Sequence, residues 1–324
     1  MVMKRVLIAN KSYPAAGLEL LKKKVECLIV PHLDHEPESL QEIKKQIKGV
    51  DAVIWNVKHK FTKEILDIAG PNLKAISTMS TGLDHIDQDA VKAHGVLIGN
   101  TPNVLNNSVA DIAIGVMIAA ARRFKEGVAD IESGEWKYGV NWTLGQDIAG
   151  STVGIVGLGS IGQAIVRRLK GFDVARFLYT GRSDKPEAIS LGAERVSLDE
   201  LLKESDYVML GCPFTAETKH LINKEALNKM KRSAVLVNYA RGEIVDQEAL
   251  YEALKEKRIF AAGLDVVTPE PLPKDHPLIS LPNCFIVPHL GSATYATRNT
   301  MSTIAANNVL LALDGKPMQC PVNY

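Results

Sequence analysis

Three side chains with complementary chemistry stand where predicted strands in the second half of the chain end. Arg241 follows the apolar run AVLVNYA, Glu270 lies in GLDVVTPEPLP, and His289 lies in CFIVPHLGSAT. Open α/β sheets bind their ligands at the carboxyl ends of the strands. A guanidinium can hold a carboxylate and polarise the neighbouring carbonyl, and a protonated imidazole can quench the negative charge that hydride addition builds on the carbonyl oxygen. These residue types therefore suit the reduction of a 2-oxo acid.

A carboxylate bonded to the imidazole would complete that set, because it fixes the tautomer and favours the protonated acid. Each residue also has an ordinary explanation: a surface ion-pair arginine, an exposed glutamate between prolines, and a loop histidine. Spacing alone does not show that the three converge. The sequence has no G-x-S-x-G, P-loop or H-E-x-x-H motif, and its cysteines lack metal-ligand spacing. Hydrolase and NTPase functions are therefore not indicated, and no metal site is predicted.

A glycine-rich turn precedes these residues. The segment VGIVGLGSIGQAIVRRL places Gly157, Gly159 and Gly162 in G-x-G-x-x-G spacing between an apolar strand and an amphipathic helix. In that context the first glycine permits the tight turn, the second lets the backbone approach a pyrophosphate, and the third allows close packing of helix and strand. The helix N-terminus would face the anion. We predict a dinucleotide site, with an ordinary strand–helix turn as the alternative.

The strand that follows ends in LYTGRSDKP, with Arg182 about 20 residues after the glycine turn, where NAD-binding folds usually carry an acid. A carboxylate would bond the ribose 2′-hydroxyl, whereas a guanidinium attracts a 2′-phosphate through charge-assisted bonds. Ser183 could add a hydroxyl donor. A solvated surface arginine is the alternative, and the nearby Asp184 would oppose phosphate binding. The sequence favours NADP(H), with NADPH preferred over NADH.

Short apolar strands alternate with amphipathic helices almost throughout the chain. That pattern predicts an α/β protein of two doubly wound parallel-sheet domains, of which the second is a Rossmann dinucleotide-binding domain. We expect the active site in the cleft between them. The expected boundaries give a discontinuous substrate-binding domain over 1–102 and 284–324, and an NAD(P)-binding domain over 103–283.

Length and composition limit the classes of function. A chain of 324 residues can form two domains, and its net charge of +1 argues against electrostatic binding of nucleic acid. The most apolar stretch, 109–121, is too short to span a bilayer and contains Asp111. The first residues lack the pattern of a signal peptide. We therefore expect a cytoplasmic protein with no membrane partner and with reduced cysteines, namely Cys27, Cys212, Cys284 and Cys320.

The glycine turn, NYARGEIVDQEAL, AAGLDVVTPEPLP, PHLGSATYATRNTM and STGLDHID together resemble the D-2-hydroxyacid dehydrogenase family over nearly the whole chain. The segments STGLDH, FLYTGR, EPLPKDHPL and RNTMSTIAANN look closest to animal members that reduce glyoxylate and hydroxypyruvate. The resemblance thus implies NADPH-dependent reduction of glyoxylate to glycolate and of hydroxypyruvate to D-glycerate. It also implies a homodimer built through the cofactor domains, with the long helix near 105–122 in the interface.

The resemblance also implies a role for individual residues. His289 would donate the proton, Glu270 would be its partner, and Arg241 would hold the substrate carboxylate. The further residues assigned to the substrate are Thr81, Gly82 and Ser292. The residues assigned to the cofactor are Gly157, Leu158, Gly159, Ser160, Ile161, Gly162, Gly181, Arg182, Ser183, Cys212, Pro213, Tyr239, Ala240, Asp265 and Gly291.

Two departures and two alternatives accompany this interpretation. A tryptophan in the loop after the long helix can enter the neighbouring subunit's site in relatives, and the candidates here are Trp136, Tyr138 and Trp142. Pro213 replaces a serine that some relatives place near the phosphates.

One alternative is a family member that acts on D-3-phosphoglycerate or D-lactate, although STGLDHID offers no basic residue beyond its histidine. The other is a non-catalytic dinucleotide sensor on the same fold, which Arg182 disfavours.

Overall fold

A computed structural model of the protein describes residues 3–137 and 139–323. The chain divides into two compact units. The first unit comprises Met1–Leu105 and Thr294–Tyr324, and the second comprises Asn106–Ala293. Each unit has its own parallel sheet.

The first unit contains a five-stranded parallel sheet in the order β2-β1-β3-β4-β5. Its strands are β1 (Arg5–Ile8), β2 (Glu26–Ile29), β3 (Ala52–Trp55), β4 (Ala75–Thr78) and β5 (Leu97–Gly99). Its helices are α1 (Ala15–Lys22), α2 (Ser39–Gln46), α3 (Lys63–Ala69), α4 (Gln88–Ala93) and the last helix of the chain, α13 (Tyr295–Leu313). The central strands β1, β3 and β4 are almost entirely buried, as expected for a parallel sheet that helices cover on both faces.

The second unit contains a seven-stranded parallel sheet in the order β12-β11-β10-β9-β6-β7-β8. Its strands are β6 (Thr152–Val156), β7 (Arg176–Thr180), β8 (Ala193–Arg195), β9 (Tyr207–Leu210), β10 (Val235–Asn238), β11 (Ala261–Leu264) and β12 (Cys284–Ile286). The order reverses between β6 and β9, and in such sheets the ligand lies outside the carboxyl ends of the strands at that point.

Helices surround the second sheet. They are α5 (Asn106–Ala121), α6 (Phe124–Glu132), α7 (Ser160–Leu169), α8 (Pro186–Leu191), α9 (Leu198–Glu204), α10 (Lys224–Lys229), α11 (Gln247–Lys255) and α12 (Pro277–Ser280), with short 3₁₀ turns at Lys170–Phe172 and Gly242–Ile244. The predicted fold class, two doubly wound parallel-sheet α/β domains with a Rossmann-type second domain, is confirmed. No helix in the described ranges is long and apolar enough to cross a membrane.

The boundaries of the units differ from those expected from the sequence. The expected crossings lay at 102/103 and 283/284, whereas the structure divides the chain after Leu105 and after Ala293. The second difference has a clear cause, because β12 pairs in parallel with β11 and aligns Cys284 with Ala262. Residues 284–293 therefore belong to the second unit, and His289 lies in the same unit as the glycine turn.

Candidate active site

The glycine turn has the geometry that its spacing predicts. Gly157 follows β6 with a φ of +97°, and a Cβ there would lie 2.8 Å from Cys212 Cα. A Cβ at Gly162 would lie 2.8 Å from the carbonyl oxygen of Gly157, so that glycine allows the helix to approach the turn. A Cβ at Gly159 would meet no heavy atom within 4 Å. The side of the turn that would face a pyrophosphate is therefore open, as dinucleotide binding requires.

The residues assigned to the cofactor gather at one edge of the second sheet. Leu158 to Gly162 lie between β6 and the first turn of α7. Cys212 and Pro213 follow β9, Tyr239 and Ala240 follow β10, and Asp265 follows β11. Since these strands are parallel neighbours, their carboxyl ends meet along a single edge.

A buried phenol at this edge lacks a hydrogen-bond partner. The Tyr239 hydroxyl makes no bond within the described residues, and it packs against the Cα of Gly211, where no side chain would fit. Burial, with a smaller contribution from the neighbouring Cys212, raises the pKa of Tyr239 above its usual range. An unpaired buried hydroxyl is uncommon in a native protein, and this one fits an edge that takes a polar ligand.

The position that the sequence predicts to select a 2′-phosphate lies just beyond β7. Arg182 is exposed and makes no hydrogen bond or ion pair within the part of the chain that the structure describes. The neighbouring Asp184, which on sequence grounds would oppose a phosphate, is paired instead with Arg195 at 2.9 Å. Arg195 also donates to the carbonyl of Gly181 at 3.0 Å. Asp184 is thus engaged by Arg195, whereas the Arg182 guanidinium, whose charge acts on the nearby Glu217, is the group that could bind a 2′-phosphate.

The predicted acid and its partner are in contact. His289 Nδ1 lies 2.8 Å from Glu270 Oε2, and the backbone N–H of Val267 donates to the other carboxylate oxygen at 3.2 Å. The imidazole is 38% exposed and the carboxylate 17% exposed. The remaining ring nitrogen, Nε2, makes no bond with a described residue and is available to a substrate oxygen. This arrangement can hold a protonated imidazole and deliver its proton.

Asp265 holds the loop that carries the histidine. Its carboxylate accepts from the N–H of Leu290 at 2.6 Å and of Gly291 at 3.0 Å, and its carbonyl accepts from the N–H of His289 at 2.9 Å. His289 has a φ of +56°, which non-glycine residues rarely adopt. Burial raises the pKa of Asp265, against the opposing effects of these backbone bonds and of the His289 charge. This aspartate thus stabilises the backbone conformation that orients the imidazole.

Arg241 lies in a turn built against the glutamate segment. Its Nη1 donates to the carbonyl of Ala240 at 2.8 Å, and Asn238 Nδ2 donates to the Arg241 carbonyl at 2.8 Å. The next residue, Gly242, packs directly on Val267, three residues before Glu270. The backbone at Arg241 therefore lies beside the segment that leads to Glu270, and all three candidate residues belong to the second unit. Neither Asn238 nor Gly242 was expected from the sequence to support the site, although the segment NYARGE contains both.

The substrate residues expected from the first unit follow β4. Ser80 Oγ bonds Thr78 Oγ1 at 2.7 Å and donates to the Gly82 carbonyl at 2.7 Å, and Asn100 Nδ2 donates to the Thr81 carbonyl at 3.0 Å. These hydrogen bonds hold the loop through its backbone carbonyl oxygens. The backbone N–H groups of Thr81 and Gly82 donate to no described residue, so both remain available to an anion. Ser292, the last substrate candidate, is half-buried in the second unit.

The second unit also matches a known family. Residues 114–291, more than half of the chain, match the family model for the D-isomer specific 2-hydroxyacid dehydrogenase, NAD binding domain. The chain belongs to the D-2-hydroxyacid dehydrogenase family. It is thus an oxidoreductase with a nicotinamide dinucleotide-binding domain, as the sequence predicted.

Other members of this family resemble the chain over almost its full length. The human protein named glyoxylate reductase/hydroxypyruvate reductase is 45% identical over 314 residues, which is 96% of this chain and 96% of that protein. A crystal structure of a protein from Thermus thermophilus has a TM-score of 0.91 at 41% identity, covering 98% of this chain and 100% of that one. The NADPH-dependent glyoxylate/hydroxypyruvate reductase from Sinorhizobium meliloti, solved with NADP and malonate, has a TM-score of 0.83 at 30% identity, covering 99% and 97%.

Proposed function

We propose that this dehydrogenase reduces glyoxylate to glycolate and hydroxypyruvate to D-glycerate, with NADPH as the preferred cofactor. The observation that carries the proposal is the 2.8 Å contact between His289 and Glu270, at the same edge of the sheet as the glycine turn. The names of the human and Sinorhizobium meliloti relatives support the choice of substrates. That the site lies in the cleft between the domains stays a prediction from the sequence.

The proposed chemistry assigns one task to each side chain. A bound reduced nicotinamide would supply the hydride that adds to the carbonyl carbon. Arg241 binds the substrate carboxylate, and the free N–H groups of Thr81 and Gly82 bind its oxygens. His289 Nε2 gives its proton to the carbonyl oxygen as negative charge develops there, and Glu270 stabilises the imidazolium until that transfer. The product leaves a neutral imidazole, which is protonated again by solvent.

The proposed preference for NADPH rests on the charges beyond β7. Arg182 is exposed and unpaired among the described residues, while Arg195 neutralises Asp184 at 2.9 Å. A 2′-phosphate placed here would meet the guanidinium of Arg182 and the hydroxyl of Ser183. β7 is followed by Gly181 and Arg182 rather than by an acid that would accept a hydrogen bond from a 2′-hydroxyl, so NADH would lack a bond that NAD-specific enzymes supply.

We also propose a homodimer that forms through the second unit. Phe124, Val128 and Ile131 are 51%, 53% and 60% exposed and recur on one face of α6, where no residue is buried. The apolar surface continues in the loop that follows, where Trp136 is 58% exposed and Trp142 is 37% exposed. Such an apolar stripe on a surface helix indicates an interface. The third loop candidate, Tyr138, lies outside the described residues.

The long helix α5, which the family resemblance places in the interface, has less exposed surface for a second copy to contact than α6 has. Most residues of α5 are buried against its own unit, including the consecutive Ala119, Ala120 and Ala121. A second copy would therefore rest mainly on α6 and the following loop.

We also propose a cytoplasmic location, supported by four cysteines that form no disulfide. Fractionation of cells with an antibody to the protein would test it.

Kinetics with two cofactors test the proposed function. Oxidation of NADPH and of NADH is followed at 340 nm with hydroxypyruvate, glyoxylate, pyruvate and 3-phosphohydroxypyruvate, for the wild type and for Arg182→Ala. We expect NADPH turnover on the first two substrates and, in the variant, a rise in KM for NADPH of roughly 10- to 100-fold with little change for NADH. The matched control is Arg232→Ala, an exposed arginine of the same unit.

The other outcomes point to the alternatives. Tight dinucleotide binding without turnover of any substrate would indicate a sensor. A clear preference for pyruvate or for 3-phosphohydroxypyruvate would indicate another member of the family. Equal kcat/KM with NADH and NADPH would leave the reductase intact and contradict the role of Arg182.

A further inference from the structure

A lysine of α6 is bonded to the segment that leads into β12. Lys125 Nζ donates to the carbonyl oxygens of Ile279 at 2.6 Å, Leu281 at 2.7 Å and Cys284 at 3.2 Å. An ammonium has three donors, so these bonds use all of them. The side chain is half-buried, and burial lowers the pKa of the ammonium below its usual value. Lys125 is therefore held by the backbone of another element and does not extend into solvent.

The position of Lys125 is explained by its partners and not by its own helix. It lies in the first turn of α6, where the partial positive charge of a helix disfavours a cation. The carbonyls of Ile279 and Leu281 lie at the C-terminal end of α12, where backbone oxygens lack partners within the helix and cations are favoured. The ammonium thus satisfies oxygens that α12 leaves unpaired.

The third oxygen belongs to an edge strand. β12 is the last strand in the order of its sheet, and within the described residues it pairs with β11. The N–H of Ala262 bonds the Asn283 carbonyl at 3.0 Å, so that carbonyl faces β11. Backbone groups of successive residues point to opposite edges of a strand, so the Cys284 carbonyl faces the open edge. Lys125 gives this open edge a charged donor that a neighbouring strand does not provide.

The same strand leads directly to the candidate proton donor. His289 follows β12, whereas Glu270 follows β11, so their contact of 2.8 Å depends on how the two strands lie against each other. The far end of this connection is held by Asp265, whose carbonyl accepts from the N–H of His289 at 2.9 Å. Lys125 holds the near end, at the first residue of β12.

We propose that Lys125 is a positioning residue for the proton donor: it fixes the start of β12 and so keeps His289 at hydrogen-bond distance from Glu270. This inference rests on the proposed function, which gives His289 its role. Among the described residues, Lys125 bonds the three carbonyls and not the imidazole, so it acts through the strand. Without its ammonium the edge strand is held on one side, and His289 spends less time aligned for proton transfer. The glycine turn after β6 is not part of this connection.

Two substitutions at Lys125 separate its charge from its packing. Lys125→Met keeps an unbranched stem and removes the donors, and Lys125→Arg keeps a charged donor. The matched control is Lys170→Met, because Lys170 Nζ donates to a single carbonyl of the same unit, that of Ser190 on α8, at 3.3 Å. For each variant we measure kcat and KM with hydroxypyruvate, the NADPH Kd by fluorescence titration, and amide hydrogen exchange of the segment 284–290 by mass spectrometry.

We expect Lys125→Met to lower kcat about 10-fold, because a small misplacement of a reacting group costs up to about 100-fold. The NADPH Kd should stay within about 2-fold of the wild type, since the change affects the chemical step and not cofactor binding. Amide exchange in 284–290 should become faster. Lys125→Arg should keep kcat within about 3-fold of the wild type, and Lys170→Met should change none of these quantities.

A double substitution tests whether Lys125 acts through the histidine and its partner. In Glu270→Gln the carboxylate that depends on the alignment is already absent, so adding Lys125→Met should lower kcat by less than about 3-fold. The same 10-fold loss in both backgrounds shows that Lys125 acts elsewhere and overturns the inference.

The remaining outcomes overturn the inference in distinguishable ways. A wild-type kcat in a folded Lys125→Met enzyme contradicts the role of Lys125 and leaves the proposed function standing. A loss of NADPH affinity as large as the loss of kcat, or an equal loss of kcat in Lys125→Arg, shows that Lys125 supports the fold in general. A wild type that reduces neither hydroxypyruvate nor glyoxylate removes the proposed function and this inference together. If Lys125→Met does not fold, Lys125→Gln, with an uncharged and shorter side chain, replaces it, and a wild-type kcat there contradicts the inference.

Discussion

His289 Nδ1 lies 2.8 Å from Glu270 Oε2, and the other carboxylate oxygen of Glu270 accepts a hydrogen bond from the N–H of Val267. The carboxylate is thus fixed on one side by the backbone and bonded on the other to the imidazole. Because the Nδ1 proton is committed to Glu270, the ring presents Nε2 to the substrate. The pair defines both the tautomer of the acid and the direction of proton delivery.

Removing the charge of Glu270 should therefore slow the reaction more than it weakens binding. In Glu270→Gln the amide can still bond Nδ1 but no longer stabilises an imidazolium, so we expect kcat for hydroxypyruvate to fall roughly 10- to 100-fold with a smaller change in KM. His289→Asn should lose at least about 100-fold in kcat. Steady-state kinetics and NADPH fluorescence titration check this. Glu248→Gln, at the exposed start of α11, is the control, and a kcat equal to the wild type in Glu270→Gln would contradict the assignment.

Asp265→Asn should disturb the same site through the backbone. The carboxylate accepts two N–H bonds, from Leu290 and Gly291, and an amide would turn its NH₂ group toward one of these donors. We expect a loss of about 1–3 kcal/mol in the free energy of unfolding, together with a lower kcat because the loop of His289 loosens. Urea unfolding and kinetics measure the two effects.

Asp246→Asn is the matched control for replacing a carboxylate with an amide. Asp246 caps α11 by accepting from Ala249 N–H at 3.1 Å, and asparagine caps helices about as well as aspartate. Asp246→Asn should therefore unfold at nearly the same urea concentration as the wild type. If Asp265→Asn proved equally harmless, the carboxylate would not be what holds the histidine loop.

The sequence locates candidate residues wherever a motif lies next to the strand that positions it. The glycine turn after β6, the arginine after β10 and the histidine after β12 could be placed for that reason, whereas their roles stay predictions. The ion pair between Asp184 and Arg195 was not predicted, since the two residues come from different strand ends and meet only when β7 and β8 pair. The expected domain boundary at 284 differs from the structure for the same reason. β12 joins the second sheet by parallel pairing with β11, which no local sequence pattern reveals.

The cysteines of the second unit should be unreactive at neutral pH. Burial raises the pKa of Cys212 to about 11 and that of Cys284 to about 12. At pH 8 the thiolate fraction is then roughly one part in a thousand or less, so iodoacetamide should label both far more slowly in the native protein than after denaturation. Peptide mass spectrometry gives the rates, and rapid labelling of Cys284 at pH 8 would contradict its burial. The same thiols have a lower pKa in the unfolded chain, about 8.5, and therefore lose their protons there at a lower pH. We expect the free energy of unfolding to fall as the pH rises from about 8.5 toward the pKa values of the folded protein.

A charge placed on the exposed face of α6 should separate the proposed dimer. Val128→Glu and Ile131→Glu each put a carboxylate where the proposed interface excludes water, and in a two-fold symmetric dimer each substitution counts twice. We expect analytical ultracentrifugation to show a dimer for the wild type and a monomer for both variants at micromolar concentration. The control is Ile189→Glu on α8, which is 88% exposed and lies on another helix of the same unit.

The activity of the separated protein would then show what the interface contributes. Arg241, Glu270 and His289 belong to one chain, so a monomeric variant should still bind NADPH and reduce glyoxylate. If an aromatic side chain of the loop after α6 enters the partner's site, the monomer should lose part of its preference for hydroxypyruvate over pyruvate. A wild type that sediments as a monomer, or an Ile189→Glu variant that dissociates while Val128→Glu does not, would show that the α6 face is not the interface.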